Sequence, residues 1–292
     1  MMKGIEVLGH GSLPFISGLS SGYAAAMGID LPLKINIEVI PDSRDVEFVV
    51  MGEWDRDTKL IDRIKKDFIS RYINKKNFGL KIKIESAIPA NVGLKSGVSV
   101  AVYTIFGVSQ ILNLPLSEND IIHIAMNISR TSGSYLLGSL EGIYASFKGG
   151  VVYTDNMGGR VISWFTNVPD CSIVIGYKPR IYENILHTTR EIRKYGELFK
   201  KIFDVGQKGG HLKAVTLNGL LFSLLTNMDY EILVETLSRG AIAAGIAGTG
   251  PSISIFAEHD DIDHFKELLS NKGYKVLVTQ PTTKGCSYKY IE

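Results

Sequence analysis

One stretch constrains this chain more than any other: Ile88-Pro89-Ala90-Asn91-Val92-Gly93-Leu94-Lys95-Ser96-Gly97-Val98-Ser99. It lies between an alternating segment, Leu80 to Glu85, and an apolar run from 97 to about 112. A Gly/Ser-rich turn that opens straight into a helix leaves the first N–H groups of that helix without intrahelical partners. The helix dipole adds partial positive charge at the same point. Small residues let an anion come close to the backbone, so such a turn can hold phosphate. Lys95 adds an ammonium as a point charge. The plain alternative is a strand-to-helix turn that is merely rich in small residues. The Gly-Lys-Ser/Thr ending of a P-loop is missing, and the spacing is not a dinucleotide fingerprint.

The flanks read as an α+β chain. Leu33 to Val39 alternates with period two, as do Leu80, Ile82 and Ile84 against Lys81, Lys83 and Glu85; Val46 to Val50 is a further strand. Residues 57–73 carry Leu60, Ile61, Ile64, Phe68, Ile69 and Ile73 at helical spacing. Ser117 with Asp120 three residues on is a capping-box start for a helix to about 130. Strands are expected at 151–154 and 172–176, and helices fill roughly 183–240. The remainder reads as strand 253–257, helix 260–271, strand 274–278 and a last strand near 286–290. Asn167-Val-Pro-Asp170 reads as a linker, which divides the chain into parts 1–167 and 168–292.

Composition removes several classes of function. With 292 residues, 45% of them hydrophobic, there is ample material for a core. A formal charge of +2, from 32 basic and 30 acidic residues, gives no reason to expect nucleic acid or a membrane surface as partner. The uncharged stretch 97–117 carries Ser99, Tyr103, Thr104, Ser109, Gln110 and Asn113 and reads as a buried helix rather than a span. Cys171 and Cys286 have no metal-ligand spacing and read as inert thiols in a reducing compartment, the cytoplasm. The six histidines form no ligand pair.

Three other places invite chemistry. Gly245, Gly248 and Gly250 fall within six residues, in a run ending Thr249-Gly250-Pro251-Ser252. They allow close backbone approach, against the alternative of a helix C-cap and tight turn. Glu141 is an acid in a small, apolar stretch, where it can serve as base toward a hydroxyl or simply stand solvated on a helix. His10, in Gly9-His10-Gly11-Ser12, sits in an N-terminal small-residue loop together with Ser20-Ser21-Gly22, and either faces a ligand or forms part of a turn.

Small-residue loops at the N-terminus, before a mid-chain helix and near the C-terminus, in that order, resemble the GHMP kinase superfamily. Pro89-x-x-x-Gly93-Leu94-Lys95-Ser96-Gly97 is similar to its Pro-x-x-x-Gly-Leu-x-Ser-Ser signature, and Gly248-Thr249-Gly250-Pro251-Ser252 to its third motif. Within the superfamily the likeness is greatest to archaeal shikimate kinases. It includes Ser20 to Val39, Gly138 to Asn156 (with Tyr144-Ala-Ser, Gly149-Gly150 and Thr154-Asp155-Asn156) and Gly240 through Ser252.

The resemblance implies a two-domain GHMP kinase fold, with a first domain like the second domain of ribosomal protein S5 and a ferredoxin-like second one. It implies a kinase acting on a small-molecule alcohol, with ATP and Mg²⁺ as cofactors, as a monomer or homodimer. ATP would lie on Pro89, Gly93, Leu94, Lys95, Ser96, Gly97, Val98 and Ser99, with Ser96 and Ser99 toward the metal. Glu141 and Lys95 would be catalytic. His10, Ser20, Ser21, Gly248, Thr249, Gly250 and Ser252 would meet the acceptor.

A shikimate carboxylate would need a cation, for which Arg130, Arg239 and Lys34 are candidates. Two positions depart from the family pattern. Gly97 stands where a second serine helps hold the metal, and Glu141 stands where aspartate is usual, followed by Gly142 instead of a polar residue. These departures leave room for a mevalonate-pathway alcohol as acceptor, or for a homologue that binds without turnover.

Overall fold

The computed structural model describes residues 4–52, 58–73, 77–133, 135–178 and 185–291. β1 (Gly4–Ile16) and β2 (Tyr23–Pro41) form a long antiparallel hairpin through the short helix α1 (Gly18–Ser21). β3 (Val46–Gly52) precedes a helical segment made of α2 (Thr58–Arg63), a π-helical stretch (Ile64–Ile69) and α3 (Ser70–Ile73), then β4 (Phe78–Ser86). α4 (Ser96–Ile111), α5 (Glu118–Thr131) and α6 (Leu140–Lys148) lead to the hairpin of β5 (Val151–Asp155) and β6 (Arg160–Phe165). After β7 (Ser172–Tyr177) come α7 (Ile185–Arg193), α8 (Gly196–Gln207), α9 (His211–Thr226) and α10 (Tyr230–Ser238). The chain closes with β8 (Ala243–Ile246), β9 (Ile253–Ala257), α11 (Ile262–Asn271), β10 (Lys275–Thr279) and β11 (Ser287–Ile291).

Two sheets result. The larger runs β11-β1-β2-β4-β3, with β5 on β2 and β6 on β5; the smaller is β10-β7-β9-β8. β2 serves two neighbours in turn, pairing through 23–27 with β5 and through 33–41 with β4. Hydrogen bonding changes sheet between Phe165 and Ser172, but the apolar core does not stop there. Ile173, Phe203, Val215 and Phe256 belong to the same buried cluster as Ile5, Ile35 and Val102. The last strand, read from sequence as part of 168–292, instead joins the first sheet by pairing with β1.

The helix after the glycine turn is buried on every side, from Ser96 to Ser109, as expected of a helix apolar all round. It packs against β1, β2, α5 and α6. The expected capping box is formed: Asp120 N–H donates to Ser117 Oγ (3.2 Å) and Ser117 N–H to the Asp120 carboxylate (2.8 Å). Among the described residues no helix is long and apolar enough to cross a membrane. Both cysteines are free; burial pushes the Cys171 thiol up to about 11 and the half-buried Cys286 thiol well up as well.

Two segments differ from the sequence reading. Residues 4–16, read in part as a small-residue loop, form strand β1. It is buried along most of its length, so the polar/apolar alternation that marks a strand is lost. Residues 243–246, read as part of a glycine loop, form the fully buried strand β8. A Cβ on Gly219 would stand 2.5 Å from Gly245 Cα, so small residues here serve the close approach of α9 to β8. Of the expected helices, residues 57, 183 and 184 lie outside the described residues.

A buried histidine fastens the two halves. His211, which opens α9, shares a 2.8 Å hydrogen bond through Nδ1 with the Tyr153 hydroxyl of β5 and packs edge-on against Phe165. Burial lowers its pKa, and burial also lowers that of His10. Unfolded, each would take up a proton near its ordinary pKa of about 6.5. Between that value and the lowered folded one the unfolded state binds more protons, so stability rises with pH and is lost on acidification. The thermal midpoint is expected to fall as pH goes from 7 to 5, and less steeply in H211N; a flat profile over that range would contradict this account.

Candidate active site

A cavity of about 540 Å³ opens where the glycine turn, α1, α6 and the Gly248 loop converge. Its wall at the glycine turn is built by backbone geometry. Gly93 has φ +92°, and a Cβ there would lie 2.4 Å from Ala247 O, so only glycine allows the turn to lie against the third loop. Lys95 takes the left-handed conformation at the N-cap of α4, and its side chain makes no capping bond. The N–H groups of its first turn have no intrahelical partner and receive no cap from Lys95, and they start a 16-residue helix.

Opposite stands a buried carboxylate. Glu141 lies in the first turn of α6 and is 3% exposed. Burying a lone charge is costly, and two groups offset that cost. Asn156 Nδ2 donates to Glu141 Oε2 at 2.7 Å, and Lys95 Nζ lies 3.6 Å from Oε1 while donating to Ser139 Oγ at 2.7 Å. Asn156 is fixed in turn by Thr154 Oγ1, which donates to its Oδ1 at 2.9 Å; both are buried. Gly142 matters by its smallness, because a Cβ there would meet the Lys95 stem at 3.1–3.3 Å. Glu141 is thus a held, oriented carboxylate on a cavity wall, not the solvated helix acid that the residues alone suggested.

The other candidates separate into lining residues and braces. Gly93, Leu94, Lys95, Ser96 and Gly97 line the cavity, as do Gly248 and Thr249. Pro89, Val98 and Ser99 do not; the Ser99 hydroxyl turns back to Lys95 O at 3.3 Å, so Ser96 alone of the two serines faces the cavity. Gly250 and Ser252 stand behind it: Ser252 is fully buried and donates to Val92 O, tying the third loop to the glycine turn. Ser20 and Ser21 are absent from the wall, and the Ser20 hydroxyl is spent on Ser17 O; Ser17, Gly18 and Leu19 face the cavity instead.

His10 is a strand residue outside the cavity. Its Nδ1 lies 3.0 Å from Asp30 Oδ1 on the neighbouring strand, and its N–H donates to the Tyr103 hydroxyl. None of the three cations considered for a carboxylate lies on the wall. Lys34 pairs with Glu85, Arg239 with Glu235, and Arg130 donates to the Asn156 carbonyl from behind. Lys59 and Lys95 are the lining cations among the described residues, and Arg193 approaches the rim, donating to Leu19 O at 3.3 Å.

Sequence reasoning passed over Ser17, Tyr135, Ser139 and Asn156. Only Asn156 carried a signal, as the end of Thr154-Asp155-Asn156, and it was also read as the start of a turn.

Backbone donors and an ammonium on one wall suit a polyanionic phosphate, and an oriented carboxylate across from them suits an acceptor hydroxyl. Such a wall fits ATP. Among the described residues no three or more His, Cys, Asp or Glu side chains cluster to hold a metal alone. Mg²⁺ would rest on Ser96, Glu141 and the phosphates' own oxygens.

Residues 59–150 match the model of the GHMP kinases N terminal domain. The chain is 29% identical over 290 residues to a protein of Methanobrevibacter smithii named shikimate kinase, covering 97% of this chain and 98% of that protein. It is 28% identical over 267 residues to a shikimate kinase of Thermococcus kodakarensis, covering 91% and 95%. The mevalonate kinase structure from Methanococcus jannaschii superposes with a TM-score of 0.76 at 18% identity, covering 97% of this chain and 99% of that one. The fold is that of the GHMP kinases.

Proposed function

We propose that this chain, a small-molecule kinase of the GHMP type by fold and by its matched N-terminal domain, transfers the terminal phosphoryl group of ATP to a hydroxyl of shikimate. The observation that carries the phosphoryl-transfer reading is the Lys95–Glu141 pair, which joins the start of α4 to the buried carboxylate across one cavity. The shikimate assignment rests on similarity along nearly the whole chain to archaeal proteins of that name.

In this reading ATP supplies the phosphoryl group, and Mg²⁺ neutralises phosphate charge. The first-turn N–H groups of α4 and the Lys95 ammonium bind and orient the phosphates. Ser96 and Glu141 would hold the metal. Glu141 Oε1 receives the proton of the acceptor hydroxyl as that oxygen bonds to phosphorus and the bond to ADP breaks. Asn156 keeps the other carboxylate oxygen fixed, so the accepting one stays aimed. Positioning and charge neutralisation account for most of the rate in this class of reaction. The phosphates rest on the 1–167 part, and 168–292 contributes Gly248 and Thr249. Pro89, Val98, Ser99, Gly250 and Ser252 shape the turn from behind.

A coupled ADP-release assay tests the assignment. Saturating shikimate is expected to make the protein consume ATP, and mevalonate is not. Turnover with mevalonate alone would move the acceptor to the isoprenoid alcohols. Nucleotide binding without ADP release from either would favour a binding homologue.

A further inference from the structure

We propose that the Tyr135 hydroxyl is a phosphate ligand of the bound nucleotide, seated in the first turn of α4 because residue 97 has no side chain. The inference rests on the phosphate-binding reading above. Tyr135 lies between α5 and α6 and lines the cavity together with Ser96 and Gly97. A Cβ on Gly97 would stand 2.7 Å from the Tyr135 hydroxyl oxygen and 3.4 Å from Cε2 of its ring, with a Leu60 methyl at 3.2 Å. The phenol therefore fills the volume that a side chain at 97 would occupy. Its ring also lies against the Lys95 ammonium, 5.3 Å from the ring centroid.

Three features meet at this point: the first-turn N–H groups of the helix, the ammonium, and a phenol hydroxyl. A phenol contributes no charge, but a hydrogen bond from it to an anionic oxygen belongs to the stronger class. The glycine and the tyrosine form one device, since any side chain at 97 pushes the hydroxyl from its seat. A tyrosine with a structural role alone would make no contact to the nucleotide.

Calorimetric titration with Mg²⁺ and the β,γ-methylene analogue of ATP separates these cases. Y135F keeps the ring, its packing and its contact with Lys95, and removes only the hydroxyl. It is expected to bind the analogue about tenfold more weakly than wild type. G97A, whose methyl displaces the phenol, is expected to lose a similar factor. The double variant is expected to lose no more than either single one, because both remove the same contact. Y135F binding within twofold of wild type would overturn the proposal, as would penalties that multiply to about a hundredfold in the double variant. Wild-type protein that binds no analogue would bring down the kinase reading itself, a result distinct from either of these.

Discussion

E141Q is expected to lower turnover about a thousandfold while leaving affinity for metal-free ADP within a few-fold of wild type. The substitution keeps the shape and length of the side chain, and its amide oxygen can still accept from Asn156 Nδ2. What it loses is the negative charge, and with it the ability to receive the acceptor's proton and to hold the metal. The environment of Glu141 sharpens the expectation. A carboxylate 3% exposed, with one oxygen bonded to a buried amide and the other 3.6 Å from an ammonium, is held in one orientation. The measurement is kcat for ADP release with saturating shikimate, set beside calorimetric binding of ADP. Full turnover in E141Q would remove the carboxylate from the chemistry and leave it a structural partner of Lys95.

K95M is expected to strike both function and stability. The ammonium reaches toward the phosphates at the start of α4 and toward Glu141, so its loss should reduce kcat/KM for ATP by a factor of about a hundred to a thousand. It also leaves Glu141 buried with only Asn156 as partner. Breaking such a pair from one side costs about 3 kcal/mol, which appears as a thermal midpoint several degrees lower. The double variant K95M/E141Q tests the cause. Removing the orphaned charge should restore much of the lost stability and none of the activity. Equal melting of wild type and K95M would show that the pair contributes nothing to the fold.

The parts of this molecule that follow period two or 3.6 were legible from the residues. The strand through Leu80, Ile82 and Ile84, the apolar α4 and the Ser117–Asp120 capping box are each decided by local chemistry. β1 and β8 were not. Both are buried along most or all of their length and rich in small residues, so they lack the alternation that marks a half-exposed strand. The site shows the same limit. Gly93 and Lys95 declare themselves because a turn that opens a helix is local. Glu141 does not, because its burial depends on Asn156, fifteen residues on, and on Lys95 from another helix. Tyr135 gave no signal at all, since its place follows from what is missing at Gly97.

The pairing of β11 with β1 sets an order on synthesis. Residues 4–8 hydrogen-bond to 287–291, a contact that spans nearly the whole chain. As the polypeptide leaves the ribosome, the hairpin of β1 and β2 emerges long before its partner, and the outer edge of β1 stays open until residues 287–291 follow. An open strand edge is a template for pairing with a neighbouring chain, and contacts of such long separation are slow to close. The glycine turn, α4 and α6, by contrast, are present by residue 148. Nascent chains would therefore carry the glycine turn and its helices well before they carry a protected sheet.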